Sequence, residues 1–186
     1  MLHPNFTPFP YLSTTQCELR PMRMEDAEQV FYLRTDDRVL KYLDREKMQS
    51  LDEAKALTEK IINAVAANEN INWAICLKGN DTMIGSIAFW RLIKEHYRTE
   101  IGYNLHPDYW GKGIMNEAMK AVLEYGFGQM GLHSVEANVN PANEASIRLL
   151  EKNGFIREAY FRENYYFNGK FLDSAIYSLL ANAKEL

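Results

Sequence analysis

The spacing of apolar residues divides this chain into short alternating stretches and longer helical ones. Asn72–Lys78 alternates, with Trp73, Ile75 and Leu77 on one face, as in a half-buried strand. Gly79-Asn80-Asp81 then turns the chain into a returning strand at 82–91, and a third follows at 98–105. From Ile114 the period changes: Ala118, Met119, Val122 and Leu123 fall on one side of a helix, and Asn116, Glu117, Lys120 and Glu124 on the other. Two further strands, 155–167 and 171–180, meet at Asn168-Gly169-Lys170, a good hairpin signal.

The remaining segments fill in an order of β-α-α-β-β-β-α-β-α-β-β. Residues 1–13 hold three of the six prolines and several aromatics, predicting an extended arm on the body or a mobile terminus. Thr15–Arg23 reads as the first strand. Met24-Glu25-Asp26 opens a helix with Val30, Leu33 and Tyr32 on its buried side, and a short helix spans Asp37–Leu43. Ser50 with Glu53 forms a capping box for a helix carrying Ala54, Leu57, Ile61, Ile62 and Val65 inward. Leu132–Val139 is another strand, and Asn143 leads a helix closed by Gly154. One α+β domain over residues 1–186 is expected, with no linker or repeat.

Tyr109-Trp110-Gly111-Lys112-Gly113-Ile114 carries the first chemical signal. Glycines just ahead of a helix let bare backbone approach a ligand. The first helical N–H groups lack intrahelical acceptors, and the dipole adds roughly half a positive charge there. An anion such as a pyrophosphate suits that place. Gly113 stands where a Walker A loop needs Ser or Thr, and no third glycine completes a dinucleotide fingerprint. A plain glycine loop before a core helix is the other reading.

Bulk properties narrow the classes. With 186 residues, 47% hydrophobic and 25% charged, the chain is an ordinary globular protein without a membrane-length apolar run. Its start lacks the basic and long apolar regions of a secretory signal, and two cysteines are too few for a disulfide framework, so a cytoplasmic setting fits. A net charge of −4 with no basic run disfavours nucleic acid as a partner. His96, His106 and His133 show no ligand spacing, so no metal site is expected; Cys76 reads as core. No Gly-x-Ser-x-Gly elbow is present for a hydrolase.

Thr99-Glu100-Ile101-Gly102-Tyr103-Asn104-Leu105, then Pro107 and Trp110-Gly111-Lys112-Gly113, resembles the signature of the GCN5-related N-acetyltransferases (GNAT), in the RimJ/RimL-like branch. Asn143-Glu144-Ala145-Ser146 with Leu149-Leu150-Glu151-Lys152-Asn153-Gly154-Phe155 is similar to that branch's second motif, and Leu19-Arg20-Pro21, Asp173 and Tyr177 fit as well. The likeness covers residues 15–182. It implies a mostly antiparallel, six- to seven-stranded sheet flanked by helices, with a V-shaped split between the fourth and fifth predicted strands. It also implies a bulge in the Glu100–Leu105 strand.

The resemblance implies acetyl transfer from acetyl-CoA to a primary amine. The protein N-terminal amine is the leading acceptor. A small amine (polyamine, amino acid or aminoglycoside) and a lapsed acyl-CoA-binding protein are the alternatives, and a homodimer is allowed for. Backbone of Gly111, Lys112, Gly113, Ile114, Met115 and Asn116 would hold the pyrophosphate. Tyr103, Leu105, Trp110, Asn138, Asn143 and Arg148 are further cofactor positions. The family often has Gly or Ala where Met115 stands and Thr where Asn116 stands; Met115 either packs inward or narrows the pocket.

An amine must shed a proton before attacking a thioester, and at neutral pH most amines are protonated. Glu100 matches the branch's base; a solvent-facing strand glutamate is the other reading. Leu150 occupies the position of the family's tyrosine acid, and Ser146, one turn earlier, matches the branch's serine. A serine bonding its own helix backbone is the alternative. Tyr103 and Tyr177 are reserve donors. Tyr160, Phe161, Tyr165, Tyr166, Phe167 and Phe171 form an aromatic hairpin, read as sheet packing or as a wall of the acceptor cleft.

Overall fold

Eight strands form one open sheet in the computed structural model, which describes residues 1–181. The last five residues of the expected domain lie outside it. In chain order the elements are β1 (Leu12–Ser13), β2 (Cys17–Pro21), α1 (Ala27–Leu33), α2 (Asp37–Leu40), α3 (Leu51–Ala66), β3 (Ile71–Leu77), β4 (Met83–Ile93) and β5 (Arg98–Leu105). Then come α4 (Ile114–Gly128), β6 (Ser134–Val139), α5 (Glu144–Lys152), β7 (Ile156–Phe167) and β8 (Lys170–Leu180). The sheet order is β1-β2-β3-β4-β5-β6-β8-β7, and only β5 and β6 run parallel. The α+β split-sheet class holds. The eighth strand is two-residue β1, inside the segment expected to be an arm, and the helical stretch before β3 has three pieces.

One face of the sheet carries the main core. Ile71, Trp73, Ile75, Ile87, Phe89, Ile101 and Val135 bury their side chains there against Ala118, Met119 and Val122 of α4, and Leu150 of α5. Gly126 is required for that approach: a Cβ there would stand 2.7 Å from Phe89. α1 and α3 cover the other face over β2–β4, around Met22, Val30, Leu33, Ala54 and Ala74. This corrects the half-buried reading of β3. Ala74 and Cys76 are buried along with Trp73 and Ile75, because helices lie on both sides.

The N-terminal arm lies on the body. Leu2 and Phe6 are 5% and 3% exposed and join the main core. The arm is held by Leu2 N–H to the Lys94 carbonyl at 2.8 Å, and by the Trp73 indole N–H to the Pro10 carbonyl at 2.8 Å. Behind β2, Arg20 donates two hydrogen bonds, at 2.8 and 2.7 Å, to the buried carboxylate of Asp26, and two more to Asp81. That network joins β2, the turn into α1 and the β3–β4 hairpin.

The register along β5 decides where the site lies. β5 stays paired with β4 from Glu100 to Leu105, so the bulge expected in that stretch is absent. The bulge is in β4 instead, where Arg91 and Leu92 are inserted opposite Thr99 and Arg91 takes φ 52°. β6 pairs with β5 only through Arg98, Thr99 and Glu100, matched to Ser134, Val135 and Glu136. Bulges raise local twist. This one sits at the level where β5 and β6 part, and the split opens from Glu100 toward Leu105.

Candidate active site

The loop at the open end of the split is built by two glycines with left-handed backbone, Gly111 at φ 73° and Gly113 at φ 79°. Only Gly takes that conformation without strain. The loop delivers Gly113 as the cap residue of α4, with no side-chain cap. Among the described residues, no bond runs from the N–H groups of residues 111–116 to a protein acceptor; the first helical bond is Glu117 N–H to the Gly113 carbonyl at 3.1 Å. Residues 111–113 are exposed, and nothing stands within 4 Å of where a Cβ at Gly111 or Gly113 would be. These donors are therefore open and reinforced by the helix dipole.

Side chains around the loop mostly serve to hold it. The Trp110 indole donates to the Leu105 carbonyl at 2.7 Å, bracing the loop and occupying one lone pair of an acceptor expected to meet the cofactor. Lys112 lies over the Tyr109 ring, and its carbonyl accepts from Gln16 at 3.2 Å. Glu117 takes two hydrogen bonds from Gln16, at 2.8 and 3.0 Å, and these hold its carboxyl below the ordinary value. Ile114 is buried and Met115 packs against the core, so each would contribute only its N–H. The Asn116 carboxamide accepts from Asn153 at 3.1 Å and ties α4 to α5.

The split has two distinct sides. On the α4–α5 side, the Tyr103 hydroxyl and Ser146 Oγ lie 2.6 Å apart. Asn143 caps α5 by accepting from Ser146 N–H at 3.2 Å. Burial pushes the Tyr103 phenol up to about 12, although its bond to Ser146 pulls the other way. Tyr103 is thus neutral and its proton is available for donation. Leu150 is fully buried, with no polar group to offer. Tyr177 is core as well, at 3% exposed. Arg148 is an exposed partner of Glu144 at 3.0 Å and is not aimed at the loop by any contact.

Glu100 lies on the opposite side, three residues from Tyr103, or about 10 Å along the strand. It is 8% exposed, which removes the solvent-facing reading, and Arg91 donates to its Oε2 at 3.0 Å. Burial raises the Glu100 carboxyl above its ordinary value, the Arg91 guanidinium opposes this, and Glu136 adds a smaller push upward. Glu136 is itself paired with Arg98. Asn138, two residues on along β6 and opposite Ile176 of β8, is exposed, and its carboxamide makes no protein hydrogen bond among the described residues.

One long-range tie on the helix-covered face has no signal in the sequence. Tyr165 in β7 donates its hydroxyl to Asp44 in the α2–α3 loop, bridging the far edge of the sheet to the helices over β2–β4. The aromatic hairpin is not packed into the sheet as one reading had it: Tyr160, Phe161, Tyr166 and Phe171 are 45–64% exposed. Two hollows of about 430 and 450 Å³ lie on the α1 side, beside Tyr32 and His106 and beside Arg20 and Asp81. Neither contains Glu100, Ser146 or the glycine loop, so the gap between the strands is the better candidate. Among the described residues no group of acids, cysteines and histidines is arranged to hold a metal.

Strand edges that part below a row of open N–H groups suit a long, flexible ligand with a phosphorylated end. The fold and site define an acyl-CoA-dependent transferase. The family model for the acetyltransferase (GNAT) domain matches residues 16–156. The uncharacterized N-acetyltransferase YoaA of Bacillus subtilis is 36% identical over 172 residues, covering 92% of this chain and 97% of that protein. The spermidine N(1)-acetyltransferase of Escherichia coli (strain K12) is 25% identical over 159 residues, covering 86% and 83%. A solved structure of RimL, a ribosomal L7/L12 α-N-protein acetyltransferase in complex with coenzyme A, superposes with a TM-score of 0.85 at 20% identity, covering 94% and 99%. The chain belongs to the GNAT acetyltransferases and is an acetyl-CoA-dependent N-acetyltransferase of that type.

Proposed function

We propose that this enzyme acetylates the N-terminal amine of a peptide or protein by direct attack in a ternary complex. What carries the reading is one arrangement: open N–H groups at residues 111–116 stand at the wide end of the β5–β6 split, and buried Glu100 stands at its closed end. Acetyl-CoA supplies an activated acyl group when bound. The backbone of residues 111–116 would bind its pyrophosphate, and the unpaired edges of residues 101–105 and 137–139 would hold the arm.

Glu100 takes the proton of the acceptor amine, directly or through a water. Its raised pKa brings it nearer to the amine it must deprotonate. Ser146, on the other side, donates toward the departing sulfur and is re-supplied by the Tyr103 hydroxyl. Asn143 fixes the first turn of α5 and with it the position of Ser146. A small-amine acceptor is the competing reading, supported by the 25% identity to a spermidine acetyltransferase.

Purified protein with acetyl-CoA and a panel of peptides, spermidine and amino acids, followed by release of free thiol, tests the proposal. Turnover of peptides with a free N-terminus, lost on N-terminal blocking, supports it; turnover of spermidine alone sinks it. Coenzyme A at 100 times its Kd should stabilise the fold by about 2.7 kcal/mol.

A further inference from the structure

The chain has three tryptophans, and one keeps its indole N–H free beside Glu100. Trp73 donates to the Pro10 carbonyl at 2.8 Å, and Trp110 to the Leu105 carbonyl at 2.7 Å. Trp90 is 43% exposed, and its indole N–H has no protein acceptor among the described residues. It stands directly opposite Glu100 in the β4–β5 register, so both side chains leave the same face of the sheet. The pyrrole edge of the ring lies over Gly102: a Cβ there would be 3.4 Å from Nε1 and 3.6 Å from Cδ1. Gly102 is the second residue past Glu100, where the β5–β6 pairing ends. The indole is thus at the split, on the Glu100 side.

Small residues leave the face open beside that edge. Ala88 and Gly102 pair across β4 and β5, and both are partly accessible. Trp90 and Glu100 bound this floor on one side; Ser86 and Asn104, hydrogen-bonded to each other at 3.3 Å, bound it on the other. A glycine inside a strand often marks a place where a ligand approaches the backbone. Trp90 itself is held in place. Thr99 Oγ1 donates to its carbonyl at 2.8 Å, and the Arg91 guanidinium, bonded to Glu100, lies 5.4 Å from the ring centre. Arg91 reaches both because the β4 bulge begins directly after Trp90. With a cation already on the ring, the group left to a ligand is a hydrogen-bond donor. It suits a carbonyl oxygen and not a second cation.

We infer that Trp90 binds the acceptor: its indole N–H donates to the carbonyl next to the reacting amine while Glu100 takes the amine's proton. The acceptor class is then an α-amino carbonyl compound. A polyamine has no carbonyl to offer. The proposal rests on the transferase reading above and adds to it a specificity residue and a substrate class. The carbonyl belongs either to the first residue of a peptide or to a free amino acid, and the probes separate the two.

The probes are a tetrapeptide amide beginning Ser-Ala, the same peptide with a trans-alkene in place of its first peptide bond, free serine, serinol and spermidine. The alkene keeps the shape and the amine but deletes the carbonyl, and serinol does the same for serine. Each is followed by thiol release on the wild type and on Trp90→Phe, which keeps an aromatic ring and loses the N–H. In the peptide pair or the serine pair, according to the source, the preference for the carbonyl compound in kcat/KM should fall about tenfold in Trp90→Phe, mostly through KM. Comparing ratios between the two proteins cancels differences in amine basicity. Trp90→His, which restores a ring N–H, should recover part of the preference. An unchanged Kd for coenzyme A in both variants shows that they are folded. Equal losses on both members of each pair overturn the proposal while the transferase reading stands, and turnover of spermidine alone overturns it as well. Absence of coenzyme A binding, or of thiol release with every acceptor, would overturn the transferase reading and this proposal with it.

Discussion

The Tyr103 hydroxyl stands 2.6 Å from Ser146 Oγ and links the strand on one side of the split to the first turn of α5. If the pair moves a proton as one unit, removing either member should do most of the damage. Ser146→Ala should lower kcat about a hundredfold or more, the range general acids contribute. Tyr103→Phe should cost several-fold, and the double variant should be little worse than Ser146→Ala. Steady-state kinetics of the three variants check this; strictly additive losses would remove the relay.

Glu100 gives the enzyme a defined acid limit. Its carboxyl is lifted by burial, with Arg91 pulling it down, and only the ionised form accepts a proton. The value of kcat/KM should therefore fall, on lowering pH, at a higher pH than an exposed glutamate would impose. Arg91→Gln should move that limb further up. Stability runs the opposite way. A carboxyl with a raised folded-state pKa holds its proton more tightly in the native state, so stability is greatest below the unfolded value and declines as pH rises through the folded one. Glu100→Gln should remove that decline in urea titrations across pH, and should leave no acid limb in residual activity.

Gly113 should tolerate alanine in space but not in conformation. Nothing stands within 4 Å of the added methyl, so the cost is that of holding Ala at φ 79°, about 1–2 kcal/mol. Relief of that strain would tilt the N–H groups of residues 113–115 away from their common direction. Gly113→Ala should raise the Kd for coenzyme A several-fold while kcat at saturation changes little. Calorimetry is the direct check.

Asp26→Asn leaves Arg20 buried with one of its partners weakened. Breaking a buried ion pair from one side costs about 3–5 kcal/mol. Arg20 and Asp26 are both nearly inaccessible, so the loss should be felt in full. Chemical denaturation should show it, and a change below about 1 kcal/mol would contradict the network.

Phe6→Ala tests the arm. The ring is 3% exposed within the main core, and its removal should cost about 3–5 kcal/mol. An arm that merely rested on the surface would show almost no change.

Much of the architecture was legible in one dimension. Periodicity located the inward face of α4: Ala118, Met119, Val122 and Leu123 are all buried as their spacing implied. Turn chemistry located both hairpins, and Asn168 and Gly169 take positive φ at 47° and 79°. Gly111 and Gly113 announced the open helix end, because backbone freedom is a local property that a residue type can declare.

Where a side chain goes after its strand is placed depends on partners far away in sequence, and there local pattern had no purchase. Alternation could not say that β3 is covered on both faces, since the second cover comes from α1 and α3. It could not place the bulge in β4 or show that β5 and β6 part after Glu100, because register is a relation between strands. Nor could it bring Tyr103 to Ser146, Arg91 to Glu100, or Tyr165 across to Asp44. Local sequence set which segments coil or extend and where backbone stays bare; packing alone decided which side chains meet and which charges are matched.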